Sequence, residues 1–225
     1  MNIRDYWDKK ILVWEDSMSK NQKNVPPIEK FASLFREALK KRSEIIMNML
    51  HSFVQGKTVL ELGCGSGFFA FELFEKVKPK HFTGIDIAQS AIMRAQKVAA
   101  EKQLADKLTF IEDDGASIKL PEVDVTIGLG FLDYLAPEEI KSLFRNIRSS
   151  SFVFTFSERR VSLLRYIHMC YMSLQRCPKH FYYTKNEIAS YIGKEYGDVQ
   201  FFSNKKISFG CIVHNLGEKA ASVLA

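Results

Sequence analysis

The chain has 225 residues, of which 46% are hydrophobic, and a formal net charge of +6. This length allows one or two domains with a substantial core. The four cysteines show no CxxC spacing and none stands beside a histidine at ligand spacing, which argues against a disulfide framework or a metal site. The N-terminal residues are charged throughout and no apolar run approaches the ~20 residues of a membrane span, so we expect a reduced, cytoplasmic protein.

The charge is unevenly distributed, with a slightly acidic centre over 56–156 between two basic ends. Basic ends suit an anionic substrate, a membrane surface or nucleic acid. An ordinary solvated surface would carry the same modest excess. Charge alone therefore leaves the class of partner open.

Apolar patterning divides the chain into a helical N-terminal part and an alternating centre. Residues 1–24 predict a short helical or loosely ordered arm, VPP at 25–27 predicts a break, and the helical pattern that begins at Ile28 ends at Gly56. Strand-like runs follow at 58–62, 81–87, 108–113, 123–131 and 151–157, and helical segments separate them at 67–77, 90–104 and 136–147. This alternation predicts an α/β fold in which helices cover both faces of a parallel sheet and the first strand lies near its middle.

The C-terminal part departs from this alternation. Residues 158–177 predict an added helical segment, and 184–193 predict a short helix that Thr184 and Glu187 open as a capping box. Two runs with a period of two, 199–203 and 206–215, predict a closing antiparallel hairpin. We expect a single domain over 1–225, with a helical arm (1–55), a core (57–157), a helical insert (158–183) and closing elements (184–215).

The stretch VLELGCGSGFFAF joins the first predicted strand to the following helix. Gly63, Gly65 and Gly67 allow a tight turn and a close approach of a ligand to the backbone, and the helix N-terminus adds partial positive charge. The spacing G-x-G-x-G is not the dinucleotide fingerprint G-x-G-x-x-G, and no Lys-Ser or Lys-Thr follows it as in a phosphate-binding loop. Glu61, just before the loop, would repel a pyrophosphate and attract a ligand amine.

Further acids follow at the ends of the next two predicted strands. Asp86 can accept hydrogen bonds from both hydroxyls of a ribose. Asp113 or Asp114 can accept one from the exocyclic amine of adenine. A nucleoside with a cationic, amine-bearing arm and no phosphates fits this set, which describes S-adenosylmethionine better than NAD or ATP. Single glycines and acids could be turn and cap residues, but their joint placement at successive strand ends argues against chance.

Four segments, VLELGCGSGFFA, GIDIAQSAIMRA, FIEDDGA and VDVTIGLGFLDYL, resemble motifs of the class I S-adenosylmethionine-dependent methyltransferases. The resemblance implies a Rossmann-like, mostly parallel seven-stranded sheet with an antiparallel last strand. It also implies S-adenosylmethionine as methyl donor and S-adenosylhomocysteine as product. Asp114 is the expected adenine ligand and Asp113 its competitor, while Cys64 could be a small apolar filler. The expected cofactor site comprises Glu61, Gly63, Cys64, Gly65, Gly67, Asp86, Ile87, Asp113, Asp114, Gly115 and Gly128.

The loop after the fourth predicted strand faces the methyl group in this family. We therefore expect Asp133, Tyr134 or, from the insert, His168 to take part in catalysis. Alternatively, Tyr134 packs under the cofactor and Asp133 caps the next helix. The tetrapeptide N/D-P-P-Y, which marks many amine- and base-methylating members, is absent at this place, which argues against nucleic-acid bases and planar amides as acceptors.

The arm and the insert supply the remaining acceptor candidates, which are Tyr6, Trp7, Phe131, Arg165 and His180. The insert is apolar nearly all round with embedded basic residues, and its layout is similar to the magnesium-protoporphyrin O-methyltransferases. A lid over a large apolar, anionic acceptor, a membrane-docking helix and an ordinary buried helix all fit this pattern.

The sequence predicts an enzyme that transfers a methyl group to oxygen, or less readily nitrogen, of a small or amphipathic metabolite. RNA or protein methylation is a second hypothesis, which the basic ends suggest, but no separate nucleic-acid module supports it. A non-catalytic cofactor-binding partner subunit is a third, because no catalytic base stands out. We expect a cytoplasmic protein, with the insert allowing peripheral membrane contact.

Overall fold

The computed structural model describes residues 2–19 and 27–217, with the side chains at 14, 17–19 and 27–36 excepted. Two helices precede the sheet, α1 (Ile3–Ser19) and α2 (Pro27–His51). The predicted arm is thus helical over its described part, whereas residues 1 and 20–26 lie outside it. No helix within the described ranges has the length and apolar content needed to cross a membrane.

The centre of the chain alternates between strands and helices, as the sequence predicts. The strands are β1 (Thr58–Leu62), β2 (His81–Asp86), β3 (Leu108–Glu112), β4 (Val125–Gly128), β5 (Ser151–Ser157), β6 (Gln200–Phe202) and β7 (Gly210–His214). The helices are α3 (Phe68–Val77), α4 (Gln89–Glu101), α5 (Pro137–Asn146), α6 (Leu163–Leu174) and α7 (Lys185–Tyr191). Short 3₁₀ turns occur at Leu132–Tyr134, Lys194–Tyr196 and Lys205–Ile207.

The seven strands form one sheet in the order β3-β2-β1-β4-β5-β7-β6. Strands β1 to β5 pair in parallel, and β7 pairs antiparallel with both β5 and β6. The predicted fold class, the near-central first strand and the closing antiparallel hairpin are confirmed. Strand order reverses between β1 and β4, and ligands of such sheets bind at this switch point, beyond the carboxyl ends of the strands.

Both faces of the sheet are covered, so its central strands are buried almost throughout. In β1, Val59 belongs to the apolar cluster that includes residues of α2, α3 and α4. Its neighbours Leu60 and Leu62 belong to the cluster on the other face, with residues of α5 and α7. This division follows from the alternation of side chains along a strand.

Two boundaries differ from the predicted ones for local reasons. The predicted strand over 123–131 stops at Gly128, because the chain turns at Gly130 (φ 77°) and enters the 3₁₀ turn. The added helical segment is shorter than 158–177, since residues before Ser162 stay extended and Glu158 bridges to Tyr183. The capping box at Thr184 and Glu187 is confirmed.

Helix α6 is not an ordinary buried helix. Leu163 and Leu174 are 76% and 72% exposed, and Met172 is its buried residue. The hypothesis of a fully buried insert is therefore wrong for this helix. The division of the chain into arm, core, insert and closing elements stays a prediction.

Candidate active site

A cavity of about 500 Å³ lies beyond the carboxyl ends of β1, β2, β4 and β5. Residues of α1, α2, α6 and the turn at Lys205–Ile207 line its other sides. Its volume is in the range of small-molecule sites, roughly 300–1,000 Å³. The sheet therefore places a ligand-sized chamber at its switch point.

The glycine loop forms one wall of this cavity. Gly63 lines the cavity with φ 73°, and a Cβ on it would lie 3.0 Å from Cδ2 of Phe131. Gly67 precedes α3 with φ 79°, and a Cβ there would lie 2.8 Å from Cζ of Phe110. Both positions therefore need glycine, because each has a positive φ and a phenylalanine ring occupies the place of a Cβ.

Asp86, at the end of β2, holds the glycine loop as well as lining the cavity. Its Oδ2 accepts a hydrogen bond from the Gly65 N–H (2.8 Å) and its Oδ1 accepts one from the Ala88 N–H (2.9 Å). A carboxylate oxygen can accept more than one hydrogen bond. Asp86 can therefore serve the loop and the hydroxyls of a ligand at the same time.

Three carboxyl groups surround the glycine loop. Glu61, at 2% exposure, has no hydrogen-bond partner for its Oε2 among the described residues. Burial raises the pKa of Glu61 to about 8, and the charges of Asp86 and Glu15 add to this shift. Burial also raises the pKa of Asp86 and of Glu15. A cationic ligand beside the loop would relieve this repulsion.

The third strand ends in the pair Asp113–Asp114, and the two side chains have different surroundings. Asp114 lines the cavity together with Gly115, and its Oδ1 accepts a hydrogen bond from the Ala116 N–H (3.0 Å). Asp113 is not among the lining residues, and its Oδ1 accepts a hydrogen bond from the Asp114 N–H (2.7 Å). The geometry therefore favours Asp114 as the acid that faces a ligand.

At the other end of the cavity, Asp133 is held by strand β5. Its Oδ1 accepts a hydrogen bond from the Ser157 N–H (2.6 Å) and its Oδ2 accepts one from Ser157 Oγ (3.0 Å). Burial raises the pKa of Asp133, while His180 and Arg42 lower it. Asp133 does not cap α5, because Glu139 accepts the hydrogen bond from the Ala136 N–H.

A row of rings continues the cavity wall beside Asp133. Tyr134 makes edge contacts with Trp7 (centroids 5.0 Å apart) and with His180 (5.5 Å). His168 lies next in the row, 5.1 Å from His180 between ring centroids. The arm, the 3₁₀ turn and the insert thus meet at one aromatic wall.

The two histidines have different environments. Nδ1 of His168 lies 2.7 Å from the hydroxyl oxygen of Tyr182, and burial, aided by His180 and Arg42, lowers the pKa of His168 to about 3. Nδ1 of His180 is buried without a hydrogen-bond partner within the described ranges. Burial lowers the pKa of His180 and Asp133 raises it. Both rings are therefore neutral at pH 7.

An arginine that the sequence analysis did not single out also reaches the cavity. Arg42 of α2 is 8% exposed and lines the cavity, and its Nε and Nη1 have no hydrogen-bond partner in the described part of the chain. Burial lowers its pKa, and Asp133 and Tyr134 raise it. A guanidinium nevertheless stays charged in proteins.

The structure brings most of the predicted site residues together. Those that line the cavity are Tyr6, Trp7, Gly63, Asp86, Ile87, Asp114, Gly115, Phe131, Asp133, Tyr134, His168 and His180. Those outside its lining are Glu61, Cys64, Gly65, Gly67, Asp113, Gly128 and Arg165.

The residues outside the lining have other surroundings. Cys64 fills the space over Gly84, where a Cβ would lie 2.7 Å from its Sγ. Gly128 faces Phe154, since a Cβ there would lie 2.6 Å from the ring. The Arg165 guanidinium lies over the rings of Tyr166 and Tyr182.

Two residues that complete the site were missed from the sequence, Glu15 and Arg42. Glu15 is a single acid on a helix with no local signal of its contact to the loop. Arg42 had a signal, because it stands four residues after Ala38 and four before Ile46, on the buried face of α2. An arginine within an apolar stripe is unusual unless it has a partner.

Comparisons with known proteins agree with this geometry. Residues 59–150 match the family model described as "Methyltransferase domain". The chain is 38% identical over 84 residues to ribosomal protein L11 methyltransferase of Haemophilus ducreyi, which covers 36% of this chain and 28% of that protein. It is 27% identical over 151 residues to malonyl-[acyl-carrier protein] O-methyltransferase of Bacillus anthracis, covering 63% of this chain and 55% of that protein. The chain thus spans less than a third of the first of these relatives.

Solved structures share the fold over almost the whole chain. Magnesium protoporphyrin IX methyltransferase from Synechocystis PCC 6803, solved with bound SAH, superposes with a TM-score of 0.71 at 17% identity. The superposition covers 94% of this chain and 96% of that one. Residues 59–150 thus match a methyltransferase domain, and the seven-stranded topology and the glycine loop together support a class I S-adenosylmethionine-dependent methyltransferase.

Proposed function

We propose that the protein transfers a methyl group from S-adenosylmethionine to an oxygen, or less readily a nitrogen, of a small or amphipathic acceptor. The observation that carries this proposal is that one cavity joins the two halves of such a site. Gly63, Asp86 and Asp114 line what we call the cofactor end, and Asp133 and His180 line what we call the acceptor end. Cofactor and acceptor could therefore meet without a rearrangement of the sheet.

The residues of the glycine loop fit a cationic nucleoside. Glu61 lies just outside the cavity lining, and its Oε2, which has no hydrogen-bond partner among the described residues, offers an acceptor for an ammonium group. Asp86 offers its carboxylate to ribose hydroxyls. Asp114 offers an acceptor for an adenine amine. Burial raises the pKa of Glu61, and repulsion by the carboxyl groups of Asp86 and Glu15 raises it further. Three carboxyl groups this close together support a ligand of positive charge.

When bound, S-adenosylmethionine supplies an electrophilic methyl group. The protein's own part is to hold the acceptor atom in line and to receive its proton. We assign the proton to His180, because its Nδ1 is unpartnered among the described residues while Nδ1 of His168 lies at hydrogen-bond distance from Tyr182. Asp133 raises the pKa of His180 and thereby stabilises the protonated ring.

The wall of the acceptor end supports a small or amphipathic acceptor. Trp7, Tyr171, Met172 and Phe209 give it an apolar lining, and α1 and α6 cover it. The relatives' names include a protein acceptor and an acyl-carrier acceptor, so they support methyl transfer without fixing its target. The exposed apolar residues of α6 are compatible with peripheral membrane contact, one of the alternatives for the insert, which co-sedimentation with vesicles would test.

Labelled methyl transfer into fractionated cell extract tests the proposal. Protein, RNA, lipid and small-molecule fractions are counted separately, with D86A as the inactive variant and D113N as the matched control. We expect label in the small-molecule or lipid fraction. Label in RNA or protein would contradict the acceptor class, and bound cofactor without label in any fraction would favour a non-catalytic subunit.

A further inference from the structure

The unpartnered guanidinium of Arg42 lies in the wall of the acceptor end. It is 8% exposed, and its Nε and Nη1 find no acceptor among the described residues. The charge of Asp133 stabilises the guanidinium, but buried N–H groups that lack hydrogen-bond acceptors are costly to the folded state. Protein interiors pair such groups, so the absent partner is expected to come with a ligand.

The guanidinium is held in place by its surroundings. A Cβ on Gly210 would lie 2.8 Å from Cδ of Arg42 and 3.1 Å from its Nε, so the arginine stem packs against the bare backbone at the start of β7. Ile207 and Phe209 line the cavity next to it. A side chain fixed in this way presents its N–H groups with little loss of entropy on binding.

The other charged groups of the described cavity wall are already engaged. Lys10 donates to the side-chain oxygen of Gln175 (3.0 Å), and Lys179 forms an ion pair with Glu139. Both oxygens of Asp133 accept hydrogen bonds from Ser157. The two lysines therefore already have partners and do not compete with Arg42 for an anionic ligand. Asp133 is held by Ser157 and forms no hydrogen bond with the guanidinium among the described residues.

We propose that Arg42 binds a carboxylate of the methyl acceptor, an inference that rests on the proposed function. A buried guanidinium whose Nε and Nη1 have no acceptor among the described residues can donate charge-assisted hydrogen bonds to a carboxylate. The cavity wall also holds the carboxyl groups of Asp86, Asp114, Asp133 and Glu139, which would repel a doubly charged phosphate more than a singly charged carboxylate. A carboxylate bound to Arg42 would lie near Asp133, Tyr134 and His168, which interact electrostatically with the guanidinium. Arg42 would therefore select the acceptor at the acceptor end of the cavity.

The test compares acids with their neutral amides. Benzoate, 1-naphthoate and octanoate, and the three corresponding amides, are titrated calorimetrically into the protein with and without saturating S-adenosylhomocysteine. For at least one pair we expect the acid to bind about tenfold or more tightly than its amide, because a charge-assisted pair is then formed. R42M should abolish this preference and leave the affinity for the amide unchanged, whereas R165M, outside the cavity lining, should keep it.

R42M keeps an unbranched apolar stem that can still pack against Gly210, and we expect it to fold. 1-Naphthoate should raise the unfolding midpoint of the wild type only, because a ligand that binds the folded state stabilises it. The proposal is overturned if no acid outbinds its amide, or if R42M keeps the preference. Failure of the wild type to bind S-adenosylhomocysteine would instead contradict the proposed function.

Discussion

Glu15 of α1 accepts two hydrogen bonds from Ser66 of the glycine loop, one from its N–H (2.9 Å) and one from its Oγ (2.5 Å). Glu15 and Ser66 are 6% and 4% exposed, so these bonds are shielded from water. Gly65 leaves room for them, since a Cβ on it would overlap Oε1 of Glu15. The N-terminal helix is therefore part of the cofactor end of the site and more than a cover over it.

Removing this carboxylate should disturb the loop. In E15A the buried N–H and hydroxyl of Ser66 lose their acceptor, which should lower the free energy of unfolding by about 1–3 kcal/mol. The affinity for S-adenosylhomocysteine should fall as well, because Ser66 of the glycine loop loses its anchor. Denaturant unfolding and calorimetric titration measure the two effects.

D16A is the matched control on the same helix. Asp16 pairs with Arg94 at 2.8 Å, and both side chains are partly exposed to solvent, which screens the pair, so the change should cost less than about 1 kcal/mol. An E15A protein as stable as D16A, with unchanged ligand affinity, would show that α1 does not support the loop.

Glu61 should make stability depend on pH. The pKa of Glu61 is about 8 in the folded protein and near its ordinary value of 4.5 in the unfolded chain. Between these values the folded chain retains a proton that the unfolded chain loses. The free energy of unfolding should therefore fall as pH rises from about 4.5 to about 8. E61Q removes this contribution, and its stability relative to the wild type should rise over the same window, as urea unfolding at several pH values would measure.

The same residue should couple cofactor binding to proton release. A bound cation favours the ionised form of Glu61, so at pH 7 S-adenosylmethionine should displace its proton. Calorimetry in phosphate and in Tris, which differ in ionisation enthalpy, counts the protons released. We expect wild-type protein to release more than E61Q, and equal proton release by the two proteins would contradict the placement of the ligand amine beside Glu61.

Asp114 and Asp113 should differ in their effect on adenine recognition. D114N should weaken binding of S-adenosylhomocysteine by about 5- to 150-fold, since a carboxylate hydrogen bond to the amine is worth roughly 1–3 kcal/mol. The S-inosylhomocysteine analogue lacks that amine, so its affinities for the wild type and for D114N should differ less than those of S-adenosylhomocysteine. D113N should keep the preference for adenine, and the reverse pattern would shift the adenine contact to Asp113.

The succession of strands and helices along the chain could be predicted because its signals are local. Apolar runs, helical periods and the glycine loop each lie within a few residues, and β1 to β5 follow from them. The end of β4 was placed late, because the turn at Gly130 continues an apolar run without a break in hydropathy. The choice between Asp113 and Asp114 depends on a one-residue register that composition does not contain.

The far side of the site could not be predicted in the same way. Glu15 and Ser66 are separated by 51 positions in the chain, and no local pattern joins them. His168 and His180 meet because an extended segment after α6 returns to the 3₁₀ turn, where the Phe181 N–H donates to the Asp133 carbonyl (2.7 Å). Such contacts depend on the packing of whole elements, whereas the acids at strand ends depend on the sheet alone.

Substitutions of His180 and His168 should have different effects, the first on the rate of methyl transfer and the second on stability. If His180 receives the acceptor's proton, H180Q should lower the rate of transfer into the labelled fraction by about 10²–10⁴-fold with little change in cofactor affinity. H168Q should act mainly on stability, because His168 is packed against Tyr182 and Phe209. An H180Q protein as fast as the wild type would leave Asp133 or Tyr134 as the proton acceptor.

The pKa of His180 can be measured without the methyl acceptor. Its pKa is lowered by burial and raised by Asp133, and the charge of Arg42 acts on its neighbours Asp133 and His168. D133N removes the nearby carboxylate, so the pKa of His180 should fall further and the acid limb of the rate profile should move to lower pH. Ring-proton NMR follows the pKa directly, with H180Q identifying the signal. A His180 pKa that D133N leaves in place would mean that Asp133 does not act on the ring, and its role would then reduce to holding Ser157.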